Sequence, residues 1–272
     1  MRAENTRKPT PELPNLTMKI ALSALFIAAL IYLVILAGLF LFQRSLIYFP
    51  TDIDPAFKAE EIVIESDNLK LRGWVINPGQ AKALIYFGGN SELITANRSL
   101  FDAYWQHYSI YLVNYRGYGR SQGSPTEAGM FADALAIYDQ IAPGHQSILA
   151  YGRSLGSGVA VYLATKRKLA KLILITPYDS VAAVAAGIYP IFPVRWLLKD
   201  QFDSLARADQ IEIPVLIVTA QKDRVIPVTH SVLLKAGLVG AQVSYHMIAN
   251  AAHNDVVDYG EFRQILAAFV ED

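Results

Sequence analysis

The apolar positions of the chain fall into separate patterns along its length, beginning with residues 20–42, which carry no charge over 23 positions. As a helix such a run is about 34 Å long, enough to cross a hydrocarbon layer of about 30 Å. A core helix would keep a polar face, and only Ser23, Tyr32 and Gly38 interrupt this one. A cleaved signal peptide has an apolar region of roughly 7–15 residues ending in a small-residue site. The run here is longer, and Ile35-Leu36-Ala37 makes a poor site, so 20–42 reads as an uncleaved transmembrane anchor. Positions 61–65 and 69–76 then alternate apolar and polar around Ser66-Asp67-Asn68, which predicts a β-hairpin. From there on, short and mostly continuous apolar runs recur at 83–87, 110–115, 147–151, 171–176, 215–219 and 242–248. Runs of that kind fit parallel strands buried on both faces. Helical stretches near 91–108, 126–141, 157–166, 229–238 and 259–270 lie between or after them. An opening hairpin followed by repeated βα units predicts an α/β fold, a mostly parallel sheet with helices on both faces.

Charge and composition refine this picture. Residues 1–19 are polar and punctuated by Pro9, Pro11 and Pro14, and read as a tail. After the anchor, 43–59 reads as a linker and 60–272 as one domain. Arg2, Arg7, Lys8 and Lys19 precede the anchor, whereas Arg44 and Lys58 follow it closely. Positive charge favours the cytoplasmic side, which predicts a cytoplasmic tail and an extracytoplasmic domain. The net charge is zero, so no nucleic-acid partner is expected. With no cysteine the chain has no disulfide, no thiolate metal site and no cysteine nucleophile. Its five histidines lack the H-x-x-x-H spacing, and neither a metal nor an organic cofactor is expected.

The chemistry concentrates after the strands, where ligand sites of open α/β sheets form. Residues 152–156 read Gly-Arg-Ser-Leu-Gly between a predicted strand and a predicted helix. That is the nucleophile elbow, a strained corner that lifts the Ser154 hydroxyl above the sheet. Glycine is needed at 152 and 156 because a side chain would strike the neighbouring strand and helix. The turn also puts the Leu155 N–H at the first turn of the helix, where it can donate to a developing oxyanion. After 83–87 comes Gly88-Gly89-Asn90-Ser91, which offers the Asn90 N–H as a second donor. Arg116–Ser121 is a glycine-containing loop expected to shape the pocket wall. Asp223 follows the strand at 215–219 and suits the acid that fixes a histidine tautomer; Asp179, one strand earlier, is its rival. His253 lies in an alanine-rich loop after 242–248 and is the candidate base. His107, His145, His230 and His246 suit structural roles better.

The order Ser154, Asp223, His253 is that of α/β-hydrolases. The sequence resembles the membrane-anchored α/β-hydrolase-domain proteins that include depalmitoylase-like serine hydrolases and their bacterial relatives. The resemblance runs from about Phe42 to the C-terminus. It rests on FQRSLIYFP at 42–50, NYRGYGRSQGSPTE at 114–127, YGRSLGSGVA at 151–160 and TPYDS at 176–180. It continues through YPIFPVRWLLKDQFDSL at 189–205, IPVLIVTAQKDRVIP at 213–227 and AAHND at 251–255. It implies Ser154 as nucleophile, Asp223 as acid, His253 as base, and Asn90 with Leu155 as oxyanion hole. Gly88 departs from the family, which usually has histidine there, so the bonds that the histidine makes to hold the loop are lost. The segment 180–211, apolar at Ile188, Tyr189, Ile191, Phe192 and Trp196, has the composition of a lid or acyl-pocket cover, or of helices packed at the sheet edge. The expected activity is hydrolysis of a carboxylic ester or thioester of a small or acylated substrate. A peptidase whose Glu127 or Asp179 holds a substrate amine is an alternative, as is a non-catalytic tethered binding protein.

Overall fold

The computed structural model describes residues 16–271, so most of the tail at 1–19 lies outside the described residues. The chain divides into two units, Met1–Phe42 and Gln43–Asp272. Helix α1 (Leu16–Ile47) begins in the first, and its uncharged run at 20–42 is exposed or half-exposed at every position. It is long and apolar enough to cross a membrane, and none of its most apolar window is buried. A helix with no polar face has no water-facing side, which suits lipid.

The second unit is built on one eight-stranded sheet. Its strands are β1 (Glu60–Ser66), β2 (Leu69–Ile76), β3 (Lys82–Phe87), β4 (Tyr108–Val113), β5 (Ser147–Arg153), β6 (Lys171–Ile175), β7 (Val215–Ala220) and β8 (Val243–Ile248). The order is β1-β2-β4-β3-β5-β6-β7-β8, antiparallel from β1 to β4 through β2 and parallel thereafter. The hairpin turns at Asp67 and Asn68, both at positive φ, a backbone that aspartate and asparagine tolerate better than most residues. The continuous apolar runs are explained by two cores. Ala83, Ile85, Phe87, Ile148, Ala150, Leu172 and Leu174 face one, and Leu84, Tyr86, Leu149, Tyr151, Ile173 and Ile175 face the other. A strand covered on both faces has no position left for a polar side chain.

Helices α2 (Arg98–Tyr104) and α9 (Gly260–Glu271) contribute to the second core. Helices α3 (Glu127–Ile141), α4 (Leu155–Lys166) and α8 (Val228–Gly237) cover the other face. Thr126 caps α3, its hydroxyl accepting from the Gly129 N–H at 3.0 Å. The helix expected over 91–108 is shorter. Ser91–Leu93 enters a loop, a 3-10 turn covers Ile94–Asn97, and after α2 a turn from Trp105 to Tyr108 leads into β4. Pairing of Tyr108 with Lys82 of β3 claims the last residue for the sheet. Between β6 and β7 the chain forms α5 (Val181–Ile188), α6 (Val194–Leu197) and α7 (Leu205–Ala208). Ile188, Ile191 and Trp196 point outward there, Trp196 being 90% exposed.

Candidate active site

Ser154 occupies the one-residue corner between β5 and α4, with φ 51° and ψ −120°. Few non-glycine residues sit at positive φ, and the cost of doing so is of order 1–3 kcal/mol. The corner is locked on both sides. The Ser154 N–H donates to the Ile175 carbonyl at 2.9 Å, and the Ser157 hydroxyl donates to the Ser154 carbonyl at 2.6 Å. A Cβ on Gly156 would overlap the Phe87 carbonyl of β3, and one on Gly152 would lie 2.7 Å from Ser157 Cα. The bend therefore forms only with glycine at both positions.

Three side chains from three loops meet above this corner. Ser154 Oγ is 2.9 Å from His253 Nε2, and His253 Nδ1 is 2.7 Å from Asp223 Oδ2. All three are buried. The second carboxylate oxygen of Asp223 accepts from the Val225 and Ile226 N–H groups at 2.9 and 2.8 Å, which fixes its rotamer. The acid and histidine loops are stitched together as well. Lys222 N–H donates to the Ala251 carbonyl at 2.8 Å, and Asn250 N–H donates to Gln221 Oε1 at 3.0 Å. Asp179 goes elsewhere, with its Oδ1 2.7 Å from Nδ1 of His230 on the first turn of α8. The structure thus brings Ser154, His253 and Asp223 together and leaves Asp179 outside that chain of contacts.

The loop after β3 lies beside the serine, a Cβ built on Gly89 coming 3.7 Å from Ser154 Cβ. Neither the Asn90 N–H nor the Leu155 N–H donates to another group among the described residues. Among the described residues no group of three or more His, Asp or Glu side chains is arranged to hold a metal ion.

No protein-family model matches the chain. The uncharacterized protein Rv2307c of Mycobacterium tuberculosis is 33% identical over 259 residues, covering 86% of this chain and 89% of that one. The uncharacterized membrane protein YNL320W of Saccharomyces cerevisiae is 26% identical over 220 residues, covering 76% and 78%. Human alpha/beta hydrolase domain-containing protein 17B is 31% identical over 168 residues, covering 60% of this chain and 56% of its own length. The chain belongs to the α/β-hydrolase-domain proteins. Among solved structures, the esterase Pf2001 of Pyrococcus furiosus aligns with a TM-score of 0.65 at 18% identity, covering 82% of this chain and 97% of that one, a likeness of fold. The long apolar helix and the yeast membrane relative agree in associating this α/β-hydrolase-domain protein with a membrane.

The loop at Gly88 and Gly89 is held from several sides. Tyr115 Oη donates to the Gly88 carbonyl at 2.8 Å, and Glu92 Oε2 accepts from the Gly89 N–H at 2.7 Å. Glu92 in turn accepts from Tyr86 Oη and Asn97 Nδ2 and lies 3.5 Å from the Arg153 guanidinium. Burial works against the charge of Arg153, but the Glu92 carboxylate together with Tyr86 and Tyr151 outweighs it, and the guanidinium pKa is raised. Tyr118 Oη donates to the Asn90 carbonyl at 2.7 Å, and burial pushes its pKa up to about 12. That hydroxyl remains a donor at pH values where exposed tyrosines, near 10, have begun to ionise. Tyr118 lies in the loop expected to shape the pocket wall, whereas Glu92 was not singled out in the sequence. A lone acid two residues past a Gly-Gly-Asn, followed five residues later by an asparagine, was the only local signal.

Proposed function

We propose that this hydrolase is a membrane-anchored serine esterase or thioesterase that works through an acyl-enzyme on Ser154. The observation that carries the reading is the unbroken chain from Ser154 Oγ through His253 to Asp223 at the elbow. His253 Nε2 takes the hydroxyl proton as Oγ attacks the substrate carbonyl carbon. The carbonyl π electrons move onto oxygen, which the Leu155 and Asn90 N–H groups receive. When the tetrahedral intermediate collapses, the bond to the leaving oxygen or sulfur breaks and His253 returns the proton to it. Water then repeats the sequence on the acyl-enzyme and releases the acid. Asp223 holds the imidazole in the tautomer that keeps Nε2 unprotonated at the start.

An ester or thioester is favoured over a peptide because the two acids that could hold a substrate amine are engaged within the fold. Glu127 accepts from the Gln201 N–H at 2.7 Å and faces Arg207, while Asp179 is taken by His230 and the Ser180 N–H. An acylated substrate met at the membrane surface fits the anchor at 20–42 and the outward Ile188, Ile191 and Trp196. In this reading residues 1–19 are a cytoplasmic tail and 60–272 an extracytoplasmic catalytic domain, on the charge bias around the anchor.

The test is labelling of the full-length protein in detergent with a fluorophosphonate, followed by turnover of p-nitrophenyl esters and acyl thioesters of graded length. Label should appear on the wild type and vanish in a folded Ser154→Ala variant. Labelling that persists in the alanine variant removes the serine from its role, and a flat or falling dependence on chain length removes the acyl substrate.

A further inference from the structure

The segment 47–51, where α1 ends, reaches the loop that holds the proposed oxyanion donor through Ile47, Phe49 and Thr51. Asn90 Nδ2 donates to the Ile47 carbonyl at 3.0 Å. The Phe49 N–H is shared between the Asn90 carbonyl at 3.3 Å and Tyr118 Oη at 3.1 Å, and that same hydroxyl donates to the Asn90 carbonyl. Thr51 Oγ1 donates to the Glu92 carbonyl at 3.2 Å, and the Thr51 carbonyl accepts from the Gly119 N–H at 2.8 Å. Tyr48 between them is buried in the core against Phe202. The segment 47–51 therefore grips Asn90 by side chain and carbonyl and grips Glu92 two residues on. What remains of Asn90 is its N–H, the one backbone polar group of that residue left without a partner among the described residues.

We infer that the strap 47–51 is a positioning element of the oxyanion hole: it sets the direction of the Asn90 N–H, so the rate of the chemical step depends on the residues at and just after the end of α1. The inference rests on the assignment of Asn90 and Ser154 proposed above. Its physical basis is that a donor helps only when aimed at the place the oxyanion will occupy, and a displacement of about 1 Å can cost up to 100-fold in rate. A loop of glycines has no side chains of its own to hold that aim. Here the strap, Tyr118 and Glu92 supply it.

The test uses the full-length protein in detergent and substitutions that leave Ser154, His253, Asp223 and the Asn90 N–H itself in place. Asn90→Ala removes the bond to Ile47, Tyr118→Phe removes the shared hydroxyl, and Thr51→Val removes the bond to Glu92. Thr51→Ser keeps that bond and controls for shape. Turnover of p-nitrophenyl butyrate and inhibition by an alkylboronic acid are measured together, because the tetrahedral boronate places an oxygen in the oxyanion hole and a ground-state ester does not. Asn90→Ala and Tyr118→Phe are expected to lower kcat about tenfold with KM nearly unchanged, and to weaken the boronate by about the same factor. Thr51→Val should fall in the same direction, and Thr51→Ser should recover the wild-type rate. If kcat stays within about twofold of wild type in all the variants, or falls while boronate affinity holds, the strap has no positioning role. Should Asn90→Ala fail to fold, Tyr118→Phe and the Thr51 pair decide the matter alone. A wild type that neither labels on Ser154 nor turns over any ester overturns the hydrolase assignment. A wild type that does both while the variants match it overturns only the strap.

Discussion

Two aspartates follow neighbouring strands of this sheet, and each holds one imidazole. Only the pairing tells them apart. Asp223→Asn leaves the geometry but favours the wrong His253 tautomer, and a loss of about 10⁴ in kcat is expected. Asp179→Asn breaks the contact to His230, which touches no part of the proposed triad, and should cost at most about tenfold. Measuring kcat of both variants on one p-nitrophenyl ester checks this, and the opposite ranking would give the acid role to Asp179. Glu92 makes a different kind of prediction. Its removal strands the buried Arg153 charge, so Glu92→Ala should destabilise the domain by about 3 kcal/mol in urea unfolding, besides slowing turnover. Ser154 was legible because the elbow needs a fixed local spacing, and Asp223 and His253 because each lies just past a readable strand. Glu92 was not, since its role exists only once β5 brings Arg153 beside it and β3 brings Tyr86.

Elements were read well wherever burial alone decides them. A strand covered on both faces has to be apolar throughout, and β3, β5, β6 and β7 declare themselves that way in the sequence. The helix expected at 91–108 failed because its first residues are drawn into the loop after β3 and its last into β4, a pairing made with Lys82 some 26 residues upstream. The strap was out of reach for the same cause, since Ile47 finds its partner 43 residues later and Phe49 finds its partners 41 and 69 residues later. Two substitutions separate ordinary from indispensable parts of these elements. Thr126→Ala removes the cap of α3 and should lower stability by about 1 kcal/mol with the activity retained. Gly156→Ala drives a methyl into the Phe87 carbonyl, so either the elbow or β3 has to move. A loss above about 4 kcal/mol, or no folded protein at all, is expected in chemical denaturation.

For the molecule as a whole, the proposal sets the hydrolase domain outside the cytoplasm and its substrate at the membrane surface. The charge bias predicts that protease added outside intact cells or spheroplasts digests the domain, and protection until the inner membrane is broken would reverse the topology. The outward tryptophan of α6 predicts that Trp196→Ser slows hydrolysis of a long-chain ester embedded in vesicles while leaving p-nitrophenyl acetate in solution unaffected. Equal effects on both would detach that surface from lipid. The corner at Ser154 reaches further than the active site. A domain of this kind is stable by only about 5–15 kcal/mol, and one residue held at positive φ removes a noticeable part of that margin. Ser154→Gly would relax the corner, and even after the greater chain entropy of glycine it should leave the protein about 1 kcal/mol more stable and wholly inactive. The hydroxyl proposed as nucleophile stands where durability alone would choose no side chain, so in this reading activity and robustness are traded against each other at a single residue.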